Sequence, residues 1–154
     1  MDADNDLSVT RWIREIPVPA ALISYIYRAT QRKFANGLAR YHIGWGHFAI
    51  LMILKEEEGR SQDSIALSRG FDKTMIAKSV VRLEGEGLIY RVTDPDDKRV
   101  KRLYLTDAGR AISPEISCIG LGINASLFRG FTEEEVHTFL TSLRKIAMNA
   151  SEQE

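Results

Sequence analysis

The stretch SQDSIALSRGFDKTMIAKSVVRLEGEGLIYRVTDPDDKRVKRLYLTDAGR, Ser61–Arg110, decides how the rest of the chain is read. It begins with two short helical segments around a turn. Ser61 is placed to cap the first by offering its side-chain oxygen to a free backbone amide, and Gly70 to end it. Asp72 is placed to cap the second, and Gly85 and Gly87 to stop it. A short helix, a tight glycine-containing turn and a longer helix are the ingredients of a helix-turn-helix. LIYRVT and RVKRLYLT follow, both rich in strand formers and joined by a Pro/Asp turn, which predicts a hairpin. A helix-turn-helix followed by a hairpin is a winged helix.

Upstream, residues 1–15 are polar and expected to fray. Pro17 and Pro19 then precede Leu22, Ile23, Ile26, Tyr27, Thr30, Phe34 and Leu38, whose helical spacing predicts a helix over 18–39. In GWGHFAILMILKEEEG, residues 48–54 are all apolar. Ala, Met and Leu favour helix over strand there, and a helix apolar all round must be enclosed by other elements. Gly59 stops it. Downstream, Thr106 is placed to cap a helix carrying the stripe Ile112, Ile116, Ile119, Ile123 and Leu127. Pro114 is expected to bend or delay that helix, while Gly120 and Gly122 weaken it and admit a close backbone approach. Thr132–Glu135 reads as a capping box opening a last helix, with Val136, Phe139, Leu140, Leu143, Ile146 and Ala147 on one face. The fold class is therefore mainly α with a small β-hairpin wing, organised as one domain over 1–154. Residues 44–106 form the winged helix-turn-helix lobe. The helices over 18–39 and 107–150 exceed what that lobe can cover, so they are expected to form a dimerisation region with a second subunit.

At 154 residues, one domain is the prior, and a hydrophobic share of 44% is ordinary for a globular chain. The single cysteine, Cys118, rules out a disulfide within the chain and points to a reducing compartment. The sequence shows no basic-then-apolar leader and no apolar run of about 18 residues, so a cytoplasmic location away from membranes is expected. Lys plus Arg and Asp plus Glu each number 21, which alone argues weakly against a nucleic-acid partner. The distribution argues the other way. Arg69–Arg110 holds ten bases against seven acids, and Lys73–Arg82 holds three bases and no acid.

At 100° per residue, Ile76, Ser79, Val80 and Leu83 share the inner arc of the second motif helix. Thr74, Met75, Ala77, Lys78, Val81 and Arg82 take the outer one. An outer face with cations, methyl groups and no acid suits the major groove of duplex DNA, where cations reach phosphates or guanine acceptors and methyls touch thymine. Lys73 and Thr74 stand near the helix N-terminus, where a phosphate is favoured. The projecting hairpin tip carries Lys98 and Arg99, suited to a narrow minor groove, with Asp97 two residues away to fix the arginine. The alternative is a winged helix used as a protein-interaction module without sequence-selective DNA binding.

VVRLEGEGLI leading into DPDDKR and then LYLTDAGR gives Leu-Glu-x-x-Gly-Leu-Ile, Asp-Pro-x-Asp-x-Arg and Leu-Thr-x-x-Gly-Arg in order. These pieces, with the preceding WGHFAILMIL, resemble the multiple antibiotic resistance regulator (MarR) family of transcription factors over residues 44–110. The resemblance implies a winged-helix homodimer on a pseudo-palindromic operator, acting as a repressor and released by a small phenolic or aromatic acid. By position it assigns DNA contact to Thr74, Lys78, Arg82 and Arg99, wing stabilisation to Asp97, and a phosphate approach to Ser61. Met75, Ala77 and Val81 depart from the family's usual polar residues, and Ser79 stands where an apolar one is usual.

The family's cleft between its first, second and fifth helices implies a ligand space here for Tyr25, Tyr41, Trp45, His47 and Phe48. Aromatic walls suit a flat ligand, and His47 suits a carboxylate; plain core packing is the other reading. Cys118 does not match the N-terminal sensor cysteine of redox-responsive relatives and is expected to be a buried, inert thiol. His42, His47 and His137 lack metal-ligand spacing, and no catalytic motif is present, so neither an enzyme nor a metal or cofactor site is expected.

Overall fold

The computed structural model describes residues 18–152 and, before them, Ile13 alone. The expected fraying of residues 1–15 and the placement of Pro17 concern positions outside the described residues. Helix α1 spans Pro19–Gly37, with Pro19 in the first turn, where a missing N–H costs nothing. At Leu38 the backbone leaves the helical region, and one 3-10 turn follows at Ala39–Tyr41. Helix α2, Trp45–Glu56, buries Ala49, Ile50, Leu51, Ile53 and Leu54, the enclosure that its unbroken apolar run demanded.

The helix-turn-helix consists of α3, Gln62–Arg69, and α4, Lys73–Gly85. Gly70 ends α3 at φ +62°, a left-handed backbone that favours glycine. Strands β2, Ile89–Thr93, and β3, Lys101–Leu105, pair antiparallel with Tyr90 opposite Tyr104 and Val92 opposite Arg102. The hairpin has a third partner that the sequence did not announce. Strand β1, Arg60–Ser61, adds antiparallel to the other edge of β3, giving the order β1-β3-β2. Two residues are too few for an alternating pattern to show.

Phe34, Leu38, Ile50, Leu51, Leu54, Ile65, Ile76, Val80, Leu83, Leu103 and Ile116 are fully buried, so α1–α5 and β3 all contribute to the core. Helix α5 spans Asp107–Leu127 and contains Pro114, so the proline does not delay its start. Helix α6, Glu133–Ser151, opens with the expected capping box. The Thr132 hydroxyl oxygen accepts from the Glu135 N–H, and Glu135 accepts from the Thr132 N–H at 2.7 Å. The chain divides into two compact units, one ending at Gly120 and one beginning at Leu121. In the second, Phe128 packs edge-on against Phe131 and Phe139, each at 5.8 Å. No helix among the described residues is long and apolar enough to cross a membrane.

Candidate nucleic-acid interface

The first motif helix is fixed at its start. Ser61 Oγ accepts from the Ser64 N–H at 3.1 Å, and the Arg60 guanidinium donates to Ser64 Oγ at 2.8 Å. Helix α4 begins where Asp72 Oδ1 accepts from the Met75 N–H at 2.8 Å. Its buried arc is Ile76, Ser79, Val80 and Leu83, and its exposed stripe is Thr74, Ala77, Lys78 and Val81, with the exposed Arg82 at its edge. Met75 is not on that stripe, as its place on the outer arc suggested. It is half-buried, and a side chain on Gly46 would meet Met75 Sδ at 3.0 Å and Ser79 Oγ at 3.1 Å. The inward Ser79 hydroxyl donates to Met75 Sδ at 3.6 Å. The close approach of α2 at Gly46 thus covers Met75 as well as the inward Ser79.

The three cations of α4 differ in their engagements. Lys73 pairs with Asp63 at 3.2 Å, tying α4 to the start of α3, and Arg82 pairs with Glu86 at 2.8 Å. Lys78 has no ion pair among the described residues.

The wing is built on Asp94, buried and placed before the turn. Its Oδ1 accepts from the Asp96 N–H at 2.8 Å and the Asp97 N–H at 3.2 Å, while Oδ2 accepts from the Arg102 guanidinium. Arg102 in turn donates to the Gly59 carbonyl at 2.9 Å. The two backbone amides, helped by Arg102, hold the Asp94 carboxyl below the usual carboxylate range. At the tip, Asp97 Oδ1 accepts from the Arg99 N–H at 3.0 Å, and its two oxygens take Arg99 Nε and Nη2 at 3.1 Å each. That bidentate pair lowers the Asp97 carboxyl and raises the guanidinium. Arg99 remains 91% exposed, so a fixed cation is presented to solvent, and Lys98 beside it is exposed too.

Between the start of α3 and the wing lies a cavity of about 220 Å³. Ser61, Gln62 and Asp63 face Arg91, Arg99 and Lys101 across it. The structure thus brings Ser61 and Arg99 to one cavity and, through the Lys73–Asp63 pair, joins the N-terminus of α4 to its rim. Sequence reasoning placed Asp94-Pro95 at the turn and Lys101 and Arg102 in the hairpin, but gave Asp94, Arg91, Lys101 and Arg102 no role in fixing the wing. For Asp94 a signal existed: Asp before Pro, with amides two and three residues on, is an Asx-turn pattern.

The aromatic cluster divides. Phe34 packs on Trp45 at 4.8 Å and on Phe48 at 4.9 Å, and Phe48 lies so close to α5 that a side chain at Gly120 would meet its ring at 2.4 Å. Beside them is a groove of about 370 Å³ lined by Trp45, Phe48, Ala49, Met52, Ile53, Glu56 and Phe71. Tyr25, Tyr41 and His47 do not line it. Tyr41 donates to Glu115, which also holds Arg40. His47 Nδ1 accepts from the Gly44 N–H at 3.0 Å and so caps α2. Burial first, then the nearby Arg82 cation, lowers its basicity, with Glu86 opposing. Cys118 is exposed, not buried. It falls two residues past the buried Ile116, on the other side of α5. Among the described residues no cluster of His, Cys, Asp and Glu could hold a metal ion.

The sequence model of the MarR family matches residues 43–101 of this chain. The crystal structure of MarR is similar over 91% of this chain and 95% of its own, at 32% identity and a TM-score of 0.77. The HTH-type transcriptional regulator YybA of Bacillus subtilis (strain 168) is 28% identical over 104 residues, covering 68% of this chain and 69% of that protein. In fold, the chain is also similar to MepR of S. aureus in its DNA complex, with a TM-score of 0.80 at 23% identity over 86% of this chain and 98% of that one. With its capped helix-turn-helix, three-stranded wing and whole-length similarity to MarR, this chain belongs to the MarR family of winged-helix transcriptional regulators.

Proposed function

We propose that this regulator binds duplex DNA sequence-specifically, as a homodimeric repressor on a pseudo-palindromic operator. The observation that carries the reading is a pairing of two features. The exposed stripe of α4 holds Lys78 and no acid, and the wing tip presents Arg99 with its guanidinium already fixed by Asp97. The stripe has the size and chemistry for a major groove, and a fixed arginine has the chemistry for a minor groove. Ser61, Lys73 and Thr74 contact the phosphates between these two points, and Lys98 adds to the wing's contact. Arg82, held by Glu86, serves the register of α4 on the phosphates more than base reading. The DNA complex of MepR supports the same use of this fold. The Trp45–Phe48–Phe71 groove is the proposed site of a small aromatic effector that releases the DNA. Its lining holds no cation, so a neutral phenol suits it better than an aromatic carboxylate.

Selection of bound fragments from random duplexes, followed by a mobility shift on the enriched sequence, tests the reading. A two-fold-related consensus with half-sites about one duplex turn apart is expected. Enrichment of no sequence would favour a protein-interaction module instead.

A further inference from the structure

The hydrogen-bonding capacity of the α4 stripe is small. Thr74 supplies a hydroxyl and Lys78 an ammonium group; Ala77 and Val81 supply only methyls. No Asn, Gln, Arg or acid stands on the stripe, so it offers no bidentate grip on the N6 and N7 atoms of adenine and no carboxylate for the N4 of cytosine. Arg82, the nearest alternative, is turned to Glu86 at 2.8 Å. Lys78 can reach guanine acceptors or a phosphate, which leaves the single Thr74 hydroxyl as the stripe's one polar reader of A·T pairs. Val81 is 61% exposed, on a helix where a β-branched residue is a poorer choice than alanine or lysine and gains nothing from water. Ala77 stands one turn before it on the same stripe. From Thr74 to Val81 the stripe runs about 10 Å along the helix, the span of about three base pairs.

We infer that Val81, with Ala77, is a specificity-determining residue that reads the C5-methyl group of thymine in each half-site. Methyl-to-methyl packing replaces bidentate adenine recognition in this chain. The inference rests on the proposed DNA-binding function and adds to it the chemical group that is read.

The test uses the full chain and duplexes of the enriched sequence in which each thymine in turn is replaced by deoxyuridine, which pairs identically but lacks the methyl. Affinities are measured at fixed salt. At one or two thymines per half-site, deoxyuridine should lower affinity about fourfold per methyl, and about fifteenfold when both half-sites are changed. Val81→Ala should bring the thymine-to-deoxyuridine ratio close to one at one of these positions. Lys78→Ala should weaken both duplexes and leave their ratio unchanged. Ratios within twofold of one at every thymine, with wild-type enrichment intact, would overturn the inference alone. A full ratio in Val81→Ala would overturn the assignment to Val81. Failure to enrich any duplex would overturn the DNA-binding reading and this inference with it.

Discussion

Two carboxylates divide the work of the wing at the scale of single residues. Asp97 aims Arg99 outward, and Asp94 closes the turn from inside. Arg99→Ala removes a side chain that is almost wholly in solvent, so the melting temperature should hold. Operator affinity should fall by roughly tenfold, with the salt dependence flattened by about one charge if the contact is to phosphate. An unchanged mobility shift at matched salt would remove Arg99 from the interface. Asp94 behaves differently. Its carboxyl is held below its ordinary range by the amides of Asp96 and Asp97, so its contribution is complete above about pH 4 and is lost as pH falls through the depressed folded value. Asp94→Ala should remove that acid-sensitive step and speed exchange of the Asp96 and Asp97 amides at neutral pH. Equal exchange in wild type and variant would show that the turn closes without it. The Asp-Pro-x-Asp-x-Arg spelling was legible in the sequence, and so was the Asp97–Arg99 pair two residues apart. The link from Asp94 to Arg102 and on to Gly59 was not, because it joins positions that only the sheet brings together.

Among the elements, the helices announced themselves through their ends. Ser61, Asp72, Thr106 and Thr132 each accept the amide three residues on, as their positions suggested. Thr106 also donates to the Gly87 carbonyl at 2.6 Å, fastening the start of α5 to the end of the helix-turn-helix. Gly109 completes that joint. A Cβ there would sit 2.1 Å from the Leu88 carbonyl oxygen, so the glycine in Leu-Thr-x-x-Gly-Arg is required by close packing, not by an unusual φ. Gly109→Ala must push α5 from the base of β2, at a cost of about 1–3 kcal/mol or more. Chemical denaturation should show it as a lower midpoint with an unchanged slope. A midpoint equal to wild type would mean that the joint yields freely. Two elements escaped the sequence. Strand β1 is too short to have a period, and the cover over Met75 comes from the close approach of α2 at Gly46, which no single-helix projection contains.

For the whole molecule, the apolar stripes explain what one chain leaves uncovered. On α1, Ile23, Ile26 and Tyr27 are 42–58% exposed, and on α6, Phe139, Leu143 and Ile146 are 36–48% exposed at helical spacing. These faces support the proposed homodimer, in which a second copy covers them. Sedimentation should find a two-chain particle at micromolar concentration. Leu143→Asp should shift it toward single chains and weaken operator binding while leaving the circular dichroism of the helices largely intact. A wild-type particle that stays single-chained would end the proposal of two linked reading heads. The proposal of a partner starts from an excess of helix over a small lobe; the exposure of Cys118 was not legible, since the face of α5 it occupies is set by which of its neighbours are buried.

Strand β1 runs into α3 with no intervening residue, since Ser61 ends one and Gln62 begins the other. The outer strand of the wing and the first helix of the motif are thus one continuous piece of chain, stitched to β3 on one side and to α4 by the Lys73–Asp63 pair on the other. Tilting the finger must drag the helix that seats its neighbour. In the proposed dimer, grip would then be set by where each head is held rather than by loosening either prong.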